Sequence, residues 1–150
     1  TTFEKINILN LPTLKDLKKQ ITDILDSLDL LLDVNWAQQY KKGSEHPLHS
    51  HHGSVYSGVL YVDQSKETQG TAFLHPAGDV VKISTNRFKY LFKSNFEPSV
   101  LILFPSHVTH FVKPEKEDNG RIVISFNTRE SEKSIYNKKG GEKHGRIDNN

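Results

Sequence analysis

A series of short β-type runs that begins at Asn35 constrains the fold of this chain more than any other feature. Glycine, proline or clustered polar residues separate the runs, as is typical of strands joined by turns. Seven such runs, at intervals of roughly 8 to 15 residues, follow one amphipathic segment. The pattern predicts a mainly β fold, a sandwich or a jelly-roll barrel, with a helix packed outside. The runs are "NWAQQY", "VYSGVLYV", "GTAFLH", "VVKIS", "SVLILF", "THFVK" and "RIVISFN".

The segment before these runs predicts a first strand and then a helix. Residues 3–12, "FEKINILNLP", alternate apolar with polar residues and end at a proline, which is typical of a strand. Over residues 13–34, leucine and isoleucine recur at spacings of three and four, which predicts an amphipathic helix. Thr13 followed by Asp16 resembles a capping box at the helix start. The three leucines at 30–32 would then end the helix, either in the core or at a homodimer contact.

Length and composition predict one domain followed by a polar tail. A chain of 150 residues suits a single hydrophobic core, and we expect the domain to span residues 1–128. Residues 129–150 are polar and contain three glycines, which predicts a mobile or poorly packed extension. The domain and the tail together account for the whole sequence.

Charge and cysteine content exclude several classes of function. The formal net charge is +2, with 20 basic and 18 acidic residues mixed along the chain, so we expect neither nucleic acid nor membrane as a partner. The absence of cysteine excludes disulfides, thiolate metal sites and cysteine nucleophiles. No apolar run reaches the roughly 20 residues of a membrane span, and the first residues do not resemble a signal peptide. We therefore expect a cytoplasmic protein.

Histidines concentrate beside two of the predicted strands. "EHPLHSHHGSVYSGVLYV" holds four of the eight, and "LFPSHVTHFVKP" holds two more. Alternate residues of a strand point to the same side, so His49 and His51 can converge, and a downstream histidine can complete a three-imidazole metal site with open positions. A polar loop that is merely rich in imidazole is the alternative interpretation. We place His46, His52, His75 and His144 outside the site and leave the role of His107 open.

Several motifs, in order over residues 35–127, resemble the small 2-oxoglutarate- and iron(II)-dependent oxygenases of bacteria and phages. These enzymes fall within the superfamily that includes prolyl hydroxylases. "NWAQQYKKGSEHPLHSHHGSVYSGVLYV" resembles the family's Trp-Ala stretch, glycine, His-x-His and Ser-Gly-x-x-Tyr. "GTAFLHP" resembles the next strand, "LILFPSHVTHFVKP" the Phe-Pro-Ser and distal histidine, and "RIVISFN" the closing Arg-x-x-x-Ser-Phe-Asn.

This resemblance implies a fold, a reaction and a set of site residues. The fold would be a double-stranded β-helix, and the reaction a hydroxylation that consumes 2-oxoglutarate and O₂, with Fe(II) bound and succinate and CO₂ released. The iron ligands would be His49, His51 and His110. The distal carboxylate of 2-oxoglutarate would be bound by Arg121, whose planar guanidinium suits a carboxylate. Further contacts to 2-oxoglutarate are implied for Ser125, Tyr61 and Tyr40.

The His-x-His motif departs from the His-x-Asp or His-x-Glu of the wider superfamily. Three neutral ligands leave a divalent metal its full charge and favour zinc, nickel and copper as competitors of iron. A cupin-type metal protein or enzyme is a second hypothesis, since "GSEHPLHSH" fits Gly-x₅-His-x-His, although the glutamate expected shortly afterwards is absent. A non-catalytic metal-binding module is a third. The substrate, a small molecule or a peptide, would be contacted by loops at residues 63–70 and 76–98.

Overall fold

A computed structural model describes residues 7–64, 70–74, 90–93, 97–118 and 120–141, with backbone only at 90–93 and 137–141. Two 3₁₀ turns, Ile8–Asn10 and Pro12–Leu14, precede helix α1, Lys15–Asp26. Helix α2, Glu132–Gly141, follows the last strand. The strands are β1 Leu30–Tyr40, β2 His46–His49, β3 Tyr56–Gln64, β4 Ala72–Leu74, β5 Tyr90–Lys93, β6 Leu101–Pro105, β7 His110–Val112 and β8 Arg121–Glu130. The predicted strand at 80–84 lies outside the described residues.

The strands form two four-stranded sheets in the orders β1-β8-β3-β6 and β2-β7-β4-β5. Every pairing between them is antiparallel. Eight antiparallel strands divided between two sheets form a jelly roll. The predicted mainly β, double-stranded β-helix fold is therefore confirmed.

Two apolar clusters lie on opposite faces of the first sheet. Side chains alternate between the faces, so Val123 of β8 points into the barrel while Ile124 points towards α1. The barrel cluster contains Tyr40, Val59, Tyr61, Phe73, Phe104, Val112 and Val123. The outer cluster packs Ile21 and Leu25 of α1 against the sheet, which places the helix outside the barrel as predicted.

The helix is shorter than predicted because the last leucines of the predicted helix pair with a distant strand instead. Asp29 takes a positive φ of 55°, which ends the helical path, and Leu30 then pairs with Glu130 in β1. Leu30 is buried in the same cluster as α1, so the leucines at 30–32 belong to a strand rather than a helix. The predicted Thr13–Asp16 capping box is also wrong, since Leu14 occupies the N-cap position without a side-chain cap.

Residues 7–12 form turns rather than the predicted strand. The backbone N–H of Leu9 donates to Asn35 Oδ1 at 2.8 Å, and the N–H of Asn35 donates to Asn7 Oδ1 at 3.1 Å. These side-chain bonds satisfy backbone groups that a strand would have paired in a ladder. Residues 3–6 lie outside the described part of the chain.

The predicted tail begins with regular structure. Arg129 and Glu130 complete β8, and α2 follows directly. The division at residue 128 stays a prediction. Within the described residues, no helix has both the length and the apolar character to cross a membrane.

Candidate active site

Two of the predicted ligands face each other across neighbouring strands. His49 ends β2, His110 begins β7, and the two residues are paired in register. Their ring centroids lie 4.2 Å apart. His110 is only 5% exposed and His49 is half-buried, so the pair is partly screened from solvent.

The third imidazole arrives from a loop rather than from the same strand. The prediction placed His51 on a strand with His49, but β2 ends at His49. The N–H of His51 instead donates to the Ser106 carbonyl oxygen at 2.9 Å, which ties the loop to the end of β6. The ring of His51 lies 5.0 Å from that of His49 and 5.2 Å from that of His110. One ligand atom from each of His49, His51 and His110 lies within 4.8 Å of the others.

Backbone carbonyls fix which ring nitrogen can bind a metal. His49 Nδ1 lies 2.7 Å from the Pro47 carbonyl oxygen, and His110 Nδ1 lies 3.0 Å from that of Val108. A carbonyl oxygen only accepts, so both Nδ1 atoms carry the proton and Nε2 keeps its lone pair. This second contact of each ring is the usual way in which proteins orient an imidazole ligand.

Burial keeps the His51 and His110 rings neutral. Burial, followed by the proximity of His49, lowers the pKa of His51 to about 4. Burial also lowers the pKa of His110 to about 4, against the opposing effect of its hydrogen bond to Val108. Imidazole binds metal only in its neutral form, so both rings are ready to coordinate at pH 7.

The donor set fits a borderline divalent transition metal. Three imidazole nitrogens suit iron, nickel, copper or zinc, whereas calcium and magnesium require oxygen ligands. The cavity around them encloses about 430 Å³ of space, including its open mouth, and no carboxylate lines it among the described residues. A bound metal would therefore keep its full double charge towards other ligands.

Arg121 lies in the same cavity and is 2% exposed. It begins β8 and pairs in register with Tyr40, the last residue of β1. Its guanidinium carbon lies 4.3 Å from the Tyr40 ring centroid and 5.7 Å from that of Tyr61. Arg121 also hydrogen-bonds the Tyr40 hydroxyl, while burial raises the pKa of Tyr40 and keeps the phenol protonated. The site thus has a positively charged end framed by two aromatic rings.

The Tyr61 hydroxyl is bonded to Thr71, and its contact with 2-oxoglutarate, expected from the resemblance, stays a prediction. The hydroxyl donates to Thr71 Oγ1 at 2.8 Å and accepts from the Thr71 N–H at 2.9 Å. Because Thr71 Oγ1 accepts this bond, its own hydrogen is available for another acceptor, and Thr71 lines the cavity. No local sequence pattern indicates Thr71, since ten residues separate it from Tyr61.

Ser125 lines the cavity from the middle of β8, four residues after Arg121. It pairs with Trp36, whereas Arg121 pairs with Tyr40. Four residues of strand span about 13 Å, so Ser125 is well separated from Arg121 along the strand. The contact of Ser125 with 2-oxoglutarate stays a prediction.

A match to a known family covers the segment that carries these residues. The family model described as "Putative 2OG-Fe(II) oxygenase" matches residues 34–127, more than half of the chain. The chain belongs to this oxygenase family. Fe(II) and 2-oxoglutarate are the metal and cosubstrate of this family, and both fit the imidazole cluster and the cationic end of the cavity.

Solved structures show the same fold at low sequence identity. An oxidoreductase of the 2OG-Fe(II) oxygenase family from Burkholderia pseudomallei is 14% identical, with a TM-score of 0.55, over 79% of this chain and 59% of that chain. HygX from Streptomyces hygroscopicus with iron bound is 11% identical, with a TM-score of 0.56, over 82% of this chain and 71% of that chain. HygX with nickel and 2-oxoglutarate bound is 13% identical, with a TM-score of 0.55, over 81% and 70%. No curated protein matches the chain.

The remaining histidines of this oxygenase divide into three groups. His46, which we placed outside the site, lines the cavity and stacks on His49 with ring centroids 4.3 Å apart. His52 and His107 are exposed. His75 and His144 lie outside the described residues.

Trp36 and Gln38 also line the cavity, and their alternation with Tyr40 along β1 is the signal that could have indicated them.

Proposed function

We propose that this oxygenase couples the oxidation of 2-oxoglutarate to the hydroxylation of a C–H bond in a small molecule or a peptide. The products would be succinate, CO₂ and the hydroxylated substrate, with one atom of O₂ in succinate and the other in the new hydroxyl group. One observation carries the proposal: three imidazoles with ligand atoms within 4.8 Å of one another share a cavity with a buried arginine.

The metal would be held by His49, His51 and His110. Bound Fe(II) would supply the oxygen chemistry, which no protein side chain provides. The chain supplies the rest, because it presents three converging imidazoles from two strand ends and one loop. Packing of Phe73 and Phe104 against the His110 ring, at centroid distances of 5.9 and 4.8 Å, keeps water away from one side of the cluster.

Arg121 would bind the distal carboxylate of 2-oxoglutarate through its planar donor pair. Tyr40 holds the guanidinium from one side, and the Thr71 hydroxyl can donate to the same carboxylate. Tyr61 then acts through Thr71 by orienting that hydroxyl. These contacts would place the keto acid at the metal, with its other end anchored at the cationic wall.

The charge of the cavity favours a dianion. A divalent metal on neutral ligands and the Arg121 guanidinium bring three positive charges, and the described lining residues include no carboxylate. Confined charges of one sign are costly in a low-dielectric site. The dianion 2-oxoglutarate would offset most of this charge, which supports it over a neutral cosubstrate.

Anaerobic titration tests the proposal directly. Adding Fe(II) and then 2-oxoglutarate to the purified protein should produce a weak visible charge-transfer band that saturates at one equivalent. Aeration in the presence of candidate substrates should then release succinate. His110→Ala should lose the band, and His107→Ala, at an exposed position of the preceding turn, should keep it. A protein that shows neither band nor succinate would contradict the proposal.

Replacement of Arg121 separates this proposal from a cupin-type enzyme. Arg121→Ala should abolish 2-oxoglutarate binding and leave metal binding intact, because the three proposed metal ligands are histidines and do not include Arg121. A cupin-type site that does not use 2-oxoglutarate would be little affected by the same change. Stoichiometric metal without any succinate formation would instead support a non-catalytic module.

A further inference from the structure

We propose that His46 is a positioning residue that connects the metal ligand His49 to the cosubstrate anchor formed by Tyr40 and Arg121. The inference rests on the proposed function, because it assigns His46 a role towards the same metal and the same 2-oxoglutarate. Three independent features of the structure carry it: a ring stack, a polar contact and an irregularity in the strand.

The first feature is the stack between the His46 and His49 rings. Their centroids lie 4.3 Å apart and their planes differ by 23°. The edge of His49 is held by the Pro47 carbonyl, 2.7 Å from Nδ1. The His49 ring is therefore restrained on an edge by Pro47 and on a face by His46. Removal of the stacked ring would free His49 to rotate away from the metal position.

The second feature is the contact between His46 and Tyr40. His46 Nδ1 lies 3.4 Å from the Tyr40 hydroxyl oxygen. Arg121 donates to that same oxygen, which leaves the phenol hydrogen free to be donated to His46 Nδ1. Arg121, Tyr40 and His46 thus form a continuous chain of contacts that ends at the metal ligand.

The third feature explains how two imidazoles three residues apart share one face. In a regular strand, positions i and i+3 point to opposite faces. His46 pairs with Val112 and His49 pairs with His110, so β2 contains one more residue than β7 between these pairs. This bulge turns both rings into the cavity, which both of them line. Bulges that redirect a side chain are common beside active sites.

Two substitutions at His46 separate the two contacts. His46→Phe keeps an aromatic ring to stack on His49 but removes the nitrogen that faces Tyr40. We expect its Kd for Ni(II) to stay within about twofold and its Kd for 2-oxoglutarate on the nickel-loaded protein to rise about threefold to tenfold. His46→Ala removes both contacts, and its Kd for Ni(II) should rise about tenfold or more. Both constants can be measured by titration calorimetry.

Tyr40→Phe provides the second arm of a double-mutant cycle. Alone, it should weaken 2-oxoglutarate binding at least as much as His46→Phe does, since it removes the contact with His46 together with the hydrogen bond from Arg121. The double variant should bind 2-oxoglutarate no more weakly than Tyr40→Phe alone. Additive losses would overturn the link between Tyr40 and His46. An unchanged Ni(II) affinity in His46→Ala, or an equal loss in His46→Phe, would overturn the stacking role.

The controls distinguish failure of this inference from failure of the proposed function. His52→Ala, at an exposed histidine in the same loop region, should leave both constants unchanged. If the unaltered protein binds neither Ni(II) nor 2-oxoglutarate, the proposed function fails. If it binds both while the His46 and Tyr40 variants match it, only the role of His46 fails. Should His46→Ala not fold, as judged from its circular dichroism and Tm, the cycle between His46→Phe and Tyr40→Phe decides.

Discussion

His110 contributes its imidazole to the cluster from a position with 5% exposure. It packs against two aromatic rings, and its Nδ1 is hydrogen-bonded to the Val108 carbonyl. His107 lies three residues earlier in the same segment and is exposed. The two residues therefore provide a matched pair in which only one can reach a shared metal.

We predict that His110→Ala raises the Kd for Ni(II) or Zn(II) by more than about 100-fold. Loss of a metal-binding imidazole should cost more affinity than loss of a residue that only orients such an imidazole. His107→Ala should change it by less than twofold. Calorimetric titration of both variants checks this, with Tm as the test of folding. Equal affinities in the two variants would move the metal site elsewhere.

The lowered pKa values of His51 and His110 predict how the metal-free protein responds to acid. Both groups titrate near pH 4 in the folded state and near 6.5 when unfolded. Between these values the unfolded chain binds more protons, so acid favours unfolding. The contribution of both histidines is complete above pH 6.5 and is lost as the pH falls towards 4.

Urea unfolding at pH 7 and at pH 5 measures this contribution. The free energy of unfolding should fall more between these values in the unaltered protein than in His51→Asn or His110→Asn. Subtracting the change measured in each variant from the change in the unaltered protein removes the effect of other titrating groups. Parallel pH profiles would show that the two imidazoles are not neutralised by burial.

At the scale of elements, two contacts determine how α1 and the first turns pack on the sheet that contains β1 and β8. Gly58 in β3 faces Phe126 of β8 so closely that a Cβ at residue 58 would overlap the ring. Phe126 is fully buried and belongs to the cluster that packs under α1. The glycine is thus required by close approach, rather than by a turn.

Gly58→Ala should lower the free energy of unfolding by about 1–3 kcal/mol, the usual cost of overpacking. Phe126→Leu in the same chain should recover part of this loss, since the smaller side chain makes room for the methyl group. Urea denaturation of the two single variants and the double variant gives the coupling. Additive losses would mean that the glycine and the ring do not compete for the same space.

The second contact is made by Asn35, whose side chain connects the turns at the start of the chain to β1. Asn35→Ala should cost about 1–3 kcal/mol, since it leaves the N–H of buried Leu9 without its acceptor. Asn10→Ala is the matched control, because Asn10 accepts only an exposed lysine bond among its described side-chain contacts. Similar urea midpoints for the two variants would remove Asn35 from this role.

For the whole molecule, the two sheets contribute different parts of the site. His49 and His110 come from the sheet that contains β2 and β7, and Arg121 comes from the sheet that contains β1 and β8. A metal with bound 2-oxoglutarate would therefore bridge the sheets. Ligand binding and global stability should be linked, because ligands that bind only the folded state raise its stability.

We predict two successive increases in Tm, one on addition of Ni(II) and one on further addition of 2-oxoglutarate. Each ligand at 100 times its Kd should add about 2.7 kcal/mol. Arg121→Ala should keep the first increase and lose the second. A second increase that survives this substitution would place the keto acid away from Arg121.

The sequence by itself determined most of the strands, the helix before them and the positions of the clustered histidines. Those features depend on local periodicity and residue type, which a single sequence displays. Only the tertiary structure decided that the leucines at 30–32 form a strand, that His51 is held by a loop and that His46 enters the cavity. Each of these depends on pairing with a distant segment: β1 with β8, His51 with Ser106, and the β2 bulge with β7. The free energy of such pairings comes from partners that local sequence patterns do not contain.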